Sequence, residues 1–410
     1  MKVAIIDGLS TGKYLARELL AKGAECYHVF SRNDFPEFAL RTFESDNYMH
    51  EFGYVKDDER LSDLLRTSSV DRLVAGSEPG VELVDTLNTK LRLPGNEPDT
   101  ADSRRDKWKM AQRLQESNLD YPHGAQVFSP EEAAEWYLKN NLEDAVVKPV
   151  RSAGADGVAY CQSPQQAQDA VAAILQQTNI FDEPNQGALI QENLAGPEYI
   201  VNTVSVDGEH RIVESWRVHH VSDINTPVFS YHEPTDPRLS HIQQLHAYVK
   251  EVLTALGIRN AAGHSEVRFT RRGPVLLETG ARLGGANIPD VVRKFTGTSQ
   301  ASAFADVITA PKSIHDIAEP AGRDIMPMRV VGLVNRFAGH VRSADWEDRL
   351  HSLNTAAGLH AGLEVGQYAP LTRDLNTGPG WIYLVSEDES AIEADFATIR
   401  RWESEPFYTV

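Results

Sequence analysis

The chain is 410 residues long, 41% hydrophobic and 24% charged, with a net charge of −19. That length exceeds what one core usually organises, so several domains are expected, and the acidity argues against nucleic acid, whose phosphates need clustered Lys and Arg. No apolar run approaches the ~20 residues of a membrane span, and the two cysteines, Cys26 and Cys161, cannot build a disulfide framework, so a cytoplasmic setting is expected.

The first residues, Met1-Lys2-Val3-Ala4-Ile5-Ile6-Asp7, reach an acid too early for a secretory signal and read as a strand. From there to about residue 97 the pattern alternates: strands at 3–6, 26–30 and 72–75, helices at 13–22 and 80–91, then the turn Leu93-Pro94-Gly95. Alternation of this kind predicts a parallel, Rossmann-like sheet whose ligand site lies at the carboxyl ends of the strands. Gly8-Leu9-Ser10 and Gly76-Ser77-Glu78 fall at those ends. The run Gly8-Leu9-Ser10-Thr11-Gly12-Lys13-Tyr14 looks like a P-loop, but only three residues separate its glycines. Tyr14 also stands where a Ser or Thr would hold Mg2+. It reads instead as a glycine turn beside a substrate.

A helix at 103–116 opens the second region, and short apolar strands follow at 145–149, 157–161, 188–191, 199–206 and 263–270. Gly, Asn and Asp turns between them predict an α+β unit with antiparallel hairpins. Pro311 and Glu319-Pro320-Ala321-Gly322 mark a boundary. Beyond it a small α+β cap is expected, with a strand at 381–385 and a helix at 389–403.

The strongest chemical signal spans 263–285. Two apolar strands flank a turn at Arg271-Arg272-Gly273, and a hairpin centred on Arg272 sets Glu266 opposite Glu278. Directly opposed Cβ atoms lie about 5 Å apart, and like charges so placed are destabilising unless a cation lies between them. Mg2+ fits, as a hard ion held by one or two carboxylates plus phosphates. The blander reading is a surface hairpin with two solvated acids, against which stand the preceding apolar run Val275-Leu276-Leu277 and the following Arg282 and Gly284-Gly285. Upstream, Lys148 emerges from the strand at 145–149 into a loop rich in small residues, Ser152-Ala153-Gly154-Ala155-Asp156-Gly157, whose N–H groups suit anions. Taken alone this is an ordinary hairpin, as Lys107 alone is a solvated lysine. The segment Gln191-Glu192-Asn193-Leu194-Ala195-Gly196-Pro197-Glu198 is a strand broken by a turn, able to offer backbone groups to an adenine edge.

In this order the pieces resemble the ATP-grasp superfamily over residues 1 to about 310. His264-Ser265-Glu266 and Glu278-Thr279-Gly280-Ala281-Arg282-Leu283-Gly284-Gly285 are most similar to the L-amino-acid ligases. Those enzymes condense two unprotected amino acids into a dipeptide, some of them in pathways to dipeptide antibiotics. The resemblance implies a Rossmann-like domain at 1–97, an ATP-grasp domain at 98–315 with a smaller lid subdomain at about 125–190, and a C-terminal α+β domain at 316–410. It implies that Lys107, Lys148 and the loop Ser152, Ala153, Gly154, Gly157 hold ATP phosphates. Gln191, Glu192 and Leu194 would read adenine, and Glu198 the ribose. Glu266 and Glu278 would bind Mg2+, for which Mn2+ can substitute. Arg282, with the N–H groups of Gly284 and Gly285, would stabilise an oxyanion. Many members carry Asn as a further metal ligand two residues after the second Glu; here the position is Gly280, so water would complete the coordination.

Substrate residues are expected at Ser77 and Glu78, which face the cleft from a strand end and suit an ammonium, although a helix-entry cap explains them equally well. His232, in Tyr231-His232-Glu233-Pro234, and Ala286, four residues after Arg282, complete the expected pocket. The expected partners are small amino acids, with no nucleic acid or membrane, and the expected assembly is a homodimer. Two rivals compete: an ATP-grasp carboxylase or purine-pathway ligase using bicarbonate or formate, and a nucleotide-binding module without chemistry. The retention of Lys148, Glu266, Glu278 and Arg282 weighs against the second.

Overall fold

The computed structural model describes residues 1–224, 228–285 and 287–409, so Ala286 lies outside the described residues. Strands β1 (Lys2–Ile6), β2 (Glu25–Phe30), β3 (His50–Tyr54) and β4 (Arg72–Ala75) form a parallel sheet in the order β3-β2-β1-β4. The apolar run of β1 is buried on both faces. Ala4 and Ile6 share a core with Val84 and Leu87 of the helix Val81–Leu91, while Val3 and Ile5 share another with Leu15 and Leu19 of the helix Gly12–Ala21. Such double covering is why parallel strands read as continuous hydrophobic runs. The chain leaves β1 toward β2 and β3 and returns on the other side at β4. The strand order therefore reverses at the carboxyl ends of β1 and β4, where a crevice opens.

The helix expected at 103–116 is divided. A 3-10 turn at Pro98–Arg104 is followed by a helix at Lys107–Glu116. The break has a cause: the Asp106 carboxylate accepts from the N–H groups of Trp108 at 3.0 Å and Lys109 at 2.9 Å, which caps a new helix and sets Lys107 at its first position. Just before the cap, the fully buried Arg104 donates to Asp85 at 2.8 Å and to the Leu256 carbonyl at 2.8 Å. It fixes the N-terminal domain to the body of the protein.

Strands β5 (Gly124–Val127), β6 (Ala145–Pro149), β7 (Ala159–Cys161) and β8 (Ala188–Glu192) form an antiparallel sheet in the order β5-β8-β6-β7. The helices Pro130–Lys139 and Pro164–Leu175 cover one face, packing on Ala145 and Val147. Alternation along β6 turns Val146 and Lys148 to the other face.

That face looks onto the largest sheet. Its strands are β9 (Glu198–Val206), β10 (Glu209–His220), β11 (Phe229–Pro234), β12 (Ala262–Thr270), β13 (Gly273–Gly280) and β14 (Met328–Gly332). After a two-stranded pair of β15 (Gly339–His340) with β17 (Tyr368–Ala369), the strands β16 (Ala356–Ala361) and β18 (Gly380–Val385) complete the order β13-β12-β9-β10-β11-β14-β18-β16. Tyr199, Val201, Val267 and Leu276 share a core with the helix Ser240–Ala255 on one side. The opposite side carries the polar residues described below. The C-terminal region has its own core around Val331, Ile382, Leu384 and Ile399. It is not a detached cap, however, because β14 pairs with β11 through Tyr231–Val331 and His232–Val330. That pairing joins residues about a hundred apart, which no local pattern announces. Cys26 and Cys161 are both buried and unbridged, and among the described residues no helix is long and apolar enough to cross a membrane.

Candidate active site

A cleft lies between the two antiparallel sheets, lined on one side by Glu266, Arg268, Leu277 and Glu278 of the β12–β13 hairpin. Glu266 does pair with Glu278. The turn that brings them together is tighter than expected, because Thr270 faces Gly273 and leaves only Arg271 and Arg272 between them. Continued regularly, that register would set Leu277 opposite Glu266 and turn Glu278 to the other face. A β-bulge between Glu266 and Val267 in the pairing supplies the missing residue. It aligns the two carboxylates on one side and leaves the Leu277 carbonyl to accept from Lys148 Nζ at 3.5 Å.

The bulge also determines the electrostatics. Lys107 Nζ lies 2.8 Å from Glu278 Oε2 and donates to the Ser152 carbonyl at 2.7 Å. Burial opposes ionisation of Glu278, yet Lys107 and then Lys148 outweigh it and hold the carboxyl down at about 2. Burial, with the charge of Lys107 behind it, pushes the Lys148 ammonium down to about 8, although Glu278 and Glu266 pull the other way. Glu266 faces His264 Nε2 at 3.5 Å, and His264 Nδ1 is 2.8 Å from Asn202 Oδ1, which orients the ring.

Above the two lysines runs the small-residue loop. Gly154, Ala155 and Gly157 all have positive φ, and the Asp156 and Val158 N–H groups close turns onto the Ala153 and Ala155 carbonyls, each at 3.3 Å. Ser152, Ala153 and Gly154 line the cleft, whereas Gly157 packs against the Pro149 ring. Ser152 Oγ donates to Asp156 at 2.6 Å, which closes the loop on itself. At the far end of the cleft, Gln191 and Leu194 line the wall. The Glu192 side chain turns outward to Arg272 at 2.7 Å and to the His123 N–H at 2.9 Å. Glu198 is nearly buried, with Arg268 Nη2 at 2.8 Å and His220 Nε2 at 3.2 Å. Burial would raise its pKa, but the His220 hydrogen bond and the charges of His220 and Arg268 hold it below the ordinary carboxylate range.

Arg282 reaches across to the N-terminal domain, where its Nε donates to Glu78 Oε2 at 2.8 Å and its Nη1 to the Leu283 carbonyl at 2.8 Å. The other Glu78 oxygen faces Arg105 Nε at 3.4 Å. This explains the glycine at 280: a Cβ there would lie 2.8 Å from Glu78 Oε2, so the carboxylate fills the space an Asn side chain would need. The Ser77 hydroxyl is buried with no hydrogen-bond partner. His232 lines the cleft, its Nε2 without a partner, and burial lowers its pKa to about 4, so it is neutral near pH 7. One expectation is corrected. The Gly284 N–H is not available to an oxyanion, because it donates to Gln300 Oε1 at 2.8 Å. Gly284 is a glycine for a different reason: a Cβ would lie 2.9 Å from His264 Nδ1.

Comparison with known proteins agrees with this geometry. The ATP-grasp domain family matches residues 142–290. Dapdiamide A synthase of Enterobacter agglomerans is 30% identical over 99% of this chain and 96% of its own length. The chain belongs to the ATP-grasp carboxylate–amine ligases. Solved structures share its fold across nearly the whole length. An L-amino acid ligase from Bacillus licheniformis superposes with a TM-score of 0.72 at 18% identity, covering 98% of this chain and 97% of that one. A carboxyaminoimidazole ribonucleotide synthase from Aspergillus clavatus, complexed with ATP, has a TM-score of 0.72 at 14% identity, covering 99% and 98%.

The cleft of this ligase fits ATP with a divalent cation. Two ammoniums stand beside two carboxylates on one face, and the oxygen-only donor set suits Mg2+. Further contributors escape the motif reading. Arg268 lies two residues beyond Glu266 and therefore on the same face of β12, a period-two signal the sequence did contain. His220, Gln300 and Leu375 reach the site from distant segments.

Proposed function

We propose that this ligase joins two unprotected L-amino acids into a dipeptide through an acyl phosphate, with release of ADP and phosphate. The observation that carries the reading is the Glu78–Arg282 contact at 2.8 Å, a carboxylate from one domain against a guanidinium from another. A mixed-sign pair suits a zwitterion, with its ammonium toward Glu78 and its carboxylate toward Arg282. The similarity to dapdiamide A synthase supports amide formation by this chain.

On this reading, residues 1–97, 98–315 and 316–410 are the working domains, and residues at about 125–190 form the lid. Lys107, Lys148 and the loop residues Ser152, Ala153 and Gly154 hold the phosphates, with Gly157 closing the loop against Pro149. Gln191, with the backbone at Glu192 and Leu194, reads adenine. Glu198, already held by Arg268, accepts from the ribose. Glu266 and Glu278 hold Mg2+, which supplies charge neutralisation at the transferring phosphoryl group. ATP converts the donor carboxylate into an acyl phosphate, and attack by the amine expels phosphate, the carboxylate oxygen leaving with it. Arg282 and the Gly285 N–H stabilise the developing oxyanion, and the lid keeps water from the acyl phosphate. Ser77 and His232 line the amino-acid pocket.

The Lys148 pKa of about 8 makes a prediction. Phosphate binding needs the ammonium, so the Kd for ATP rises with pH above that value, by at most about tenfold per pH unit for one proton. Lys148→Arg, which stays charged, should flatten the profile; a wild-type Kd constant from pH 7 to 9 contradicts the assignment. The function itself is tested by incubating the enzyme with ATP, Mg2+ and amino-acid pairs, and in parallel with bicarbonate or formate. Dipeptide masses accompanied by phosphate release are expected. Phosphate release with bicarbonate or formate alone contradicts the proposal.

A further inference from the structure

The segment Asn179–Glu183 belongs to the sequence of the lid subdomain yet grips the N-terminal domain. It is folded on itself. Asn179 Oδ1 accepts from the N–H groups of Phe181 at 2.9 Å and Glu183 at 3.1 Å, and its Nδ2 donates to the Arg151 carbonyl at 2.8 Å. It is also tied to the small-residue loop, because Asp156 Oδ2 accepts both from the Ile180 N–H at 2.9 Å and from Ser152 Oγ at 2.6 Å. Loop and segment are therefore tied to each other through Asp156.

Two arginines of the N-terminal half receive this segment. Arg32 donates to the Phe181 carbonyl and lies 3.8 Å from Glu183 Oε1. Arg105, only 6% exposed, has its guanidinium 5.5 Å from the Phe181 ring centroid and 3.8 Å from Glu183 Oε2. The same guanidinium donates to the Glu78 carbonyl at 3.2 Å and faces its carboxylate at 3.4 Å. Glu78 in turn holds Arg282 at 2.8 Å. A planar five-donor fork can hold such a set at once, whereas a lysine could not. Next to it, Arg104 is committed instead to Asp85, Thr100, Glu97 and Leu256. Arg105 is thus the member that touches both the lid and the pocket.

We infer that Arg105 is a positioning residue and that, with Phe181 and Glu183, it forms a latch coupling closure of the lid over ATP to the placement of Glu78 and Arg282. Opening the lid withdraws Phe181 and Glu183, which leaves Arg105 without its packing and its second carboxylate, and the Glu78–Arg282 pair without its brace. Linkage makes the coupling reciprocal: a filled pocket favours a closed lid as a closed lid favours the pocket. The inference rests on reading the cleft as an ATP site beside an amino-acid pocket.

Hydrogen exchange on the full chain tests it, with the non-hydrolysable analogue AMP-PNP and Mg2+ as the probe. In the wild type the nucleotide should slow exchange across 148–157 and also at 76–80, the latter by about tenfold. Phe181→Ala and, independently, Glu183→Gln should keep the slowing at 148–157 and lose it at 76–80, while Phe181→Tyr, which retains the ring, should restore it. Slowing at 76–80 that survives both variants overturns the latch, as does its absence in a wild type that responds at 148–157. No response at 148–157 in the wild type contradicts the ATP reading itself, and the latch falls with it.

Discussion

Glu278→Gln is expected to lower kcat/KM by about 10³, equivalent to roughly 4 kcal/mol of transition-state stabilisation. The substitution keeps the shape of the side chain and removes a charge that has two partners of its own. Lys107 lies 2.8 Å away, and its charge and that of Lys148 keep the carboxyl ionised against the effect of burial. With the amide in place, the metal of the proposed mechanism would lose an anionic ligand, and Lys107 and Lys148 lose their counter-charge. A stability signature should accompany the kinetic one. The Glu278 pKa falls from 4.5 to about 2 on folding, so the unfolded chain binds more protons between those values and stability rises with pH across the window. The contribution is present above about 4.5 and lost as pH falls through about 2. Urea unfolding at pH 3 and pH 6 should therefore differ less in the variant than in the wild type. Activity within tenfold of wild type would remove Glu278 from the metal site.

Arg282→Lys should cost about 10²–10³ in kcat, the range for loss of one preorganised oxyanion donor. The charge is kept, but a single ammonium cannot engage Glu78 and the Leu283 carbonyl while also facing a substrate. Because the Arg282 Nε is committed to Glu78, KM for ATP should stay within a few-fold while kcat falls. Equal losses in ATP affinity and turnover would place Arg282 with the phosphates instead of the amino-acid pocket.

The sequence made the site legible wherever chemistry and local periodicity coincide. Lys148 follows an apolar strand into a run of small residues, and Glu266 and Glu278 sit symmetrically about a hairpin, so residue type and spacing located them. The hairpin is instructive, since the pairing holds although the turn is Arg271-Arg272 and a bulge makes up the count. The bulge leaves the Leu277 carbonyl to Lys148 of β6, a contact that is not visible within the strand itself. Gly284 shows the limit more plainly. A glycine pair after Arg282 looks like an oxyanion hole, but Gln300, sixteen residues on, already occupies one N–H. Contacts of that kind form only after the helix Gln300–Thr309 has docked on β9 and β12. The joining of β14 to β11 was hidden for the same reason. Gly280 was legible as a departure from the family pattern, and Glu78, from a different domain, supplies its explanation.

The most direct test of the account follows the donor's own oxygen. The carboxylate of the donor amino acid is labelled with oxygen-18, one turnover's worth of product is formed with ATP, Mg2+ and the amine, and the released phosphate and nucleotide are analysed by mass spectrometry. An acyl phosphate formed at the γ-phosphorus and broken by the amine must leave one labelled oxygen in the phosphate, with ADP as the nucleotide product. Unlabelled phosphate, or AMP with pyrophosphate, would contradict the mechanism.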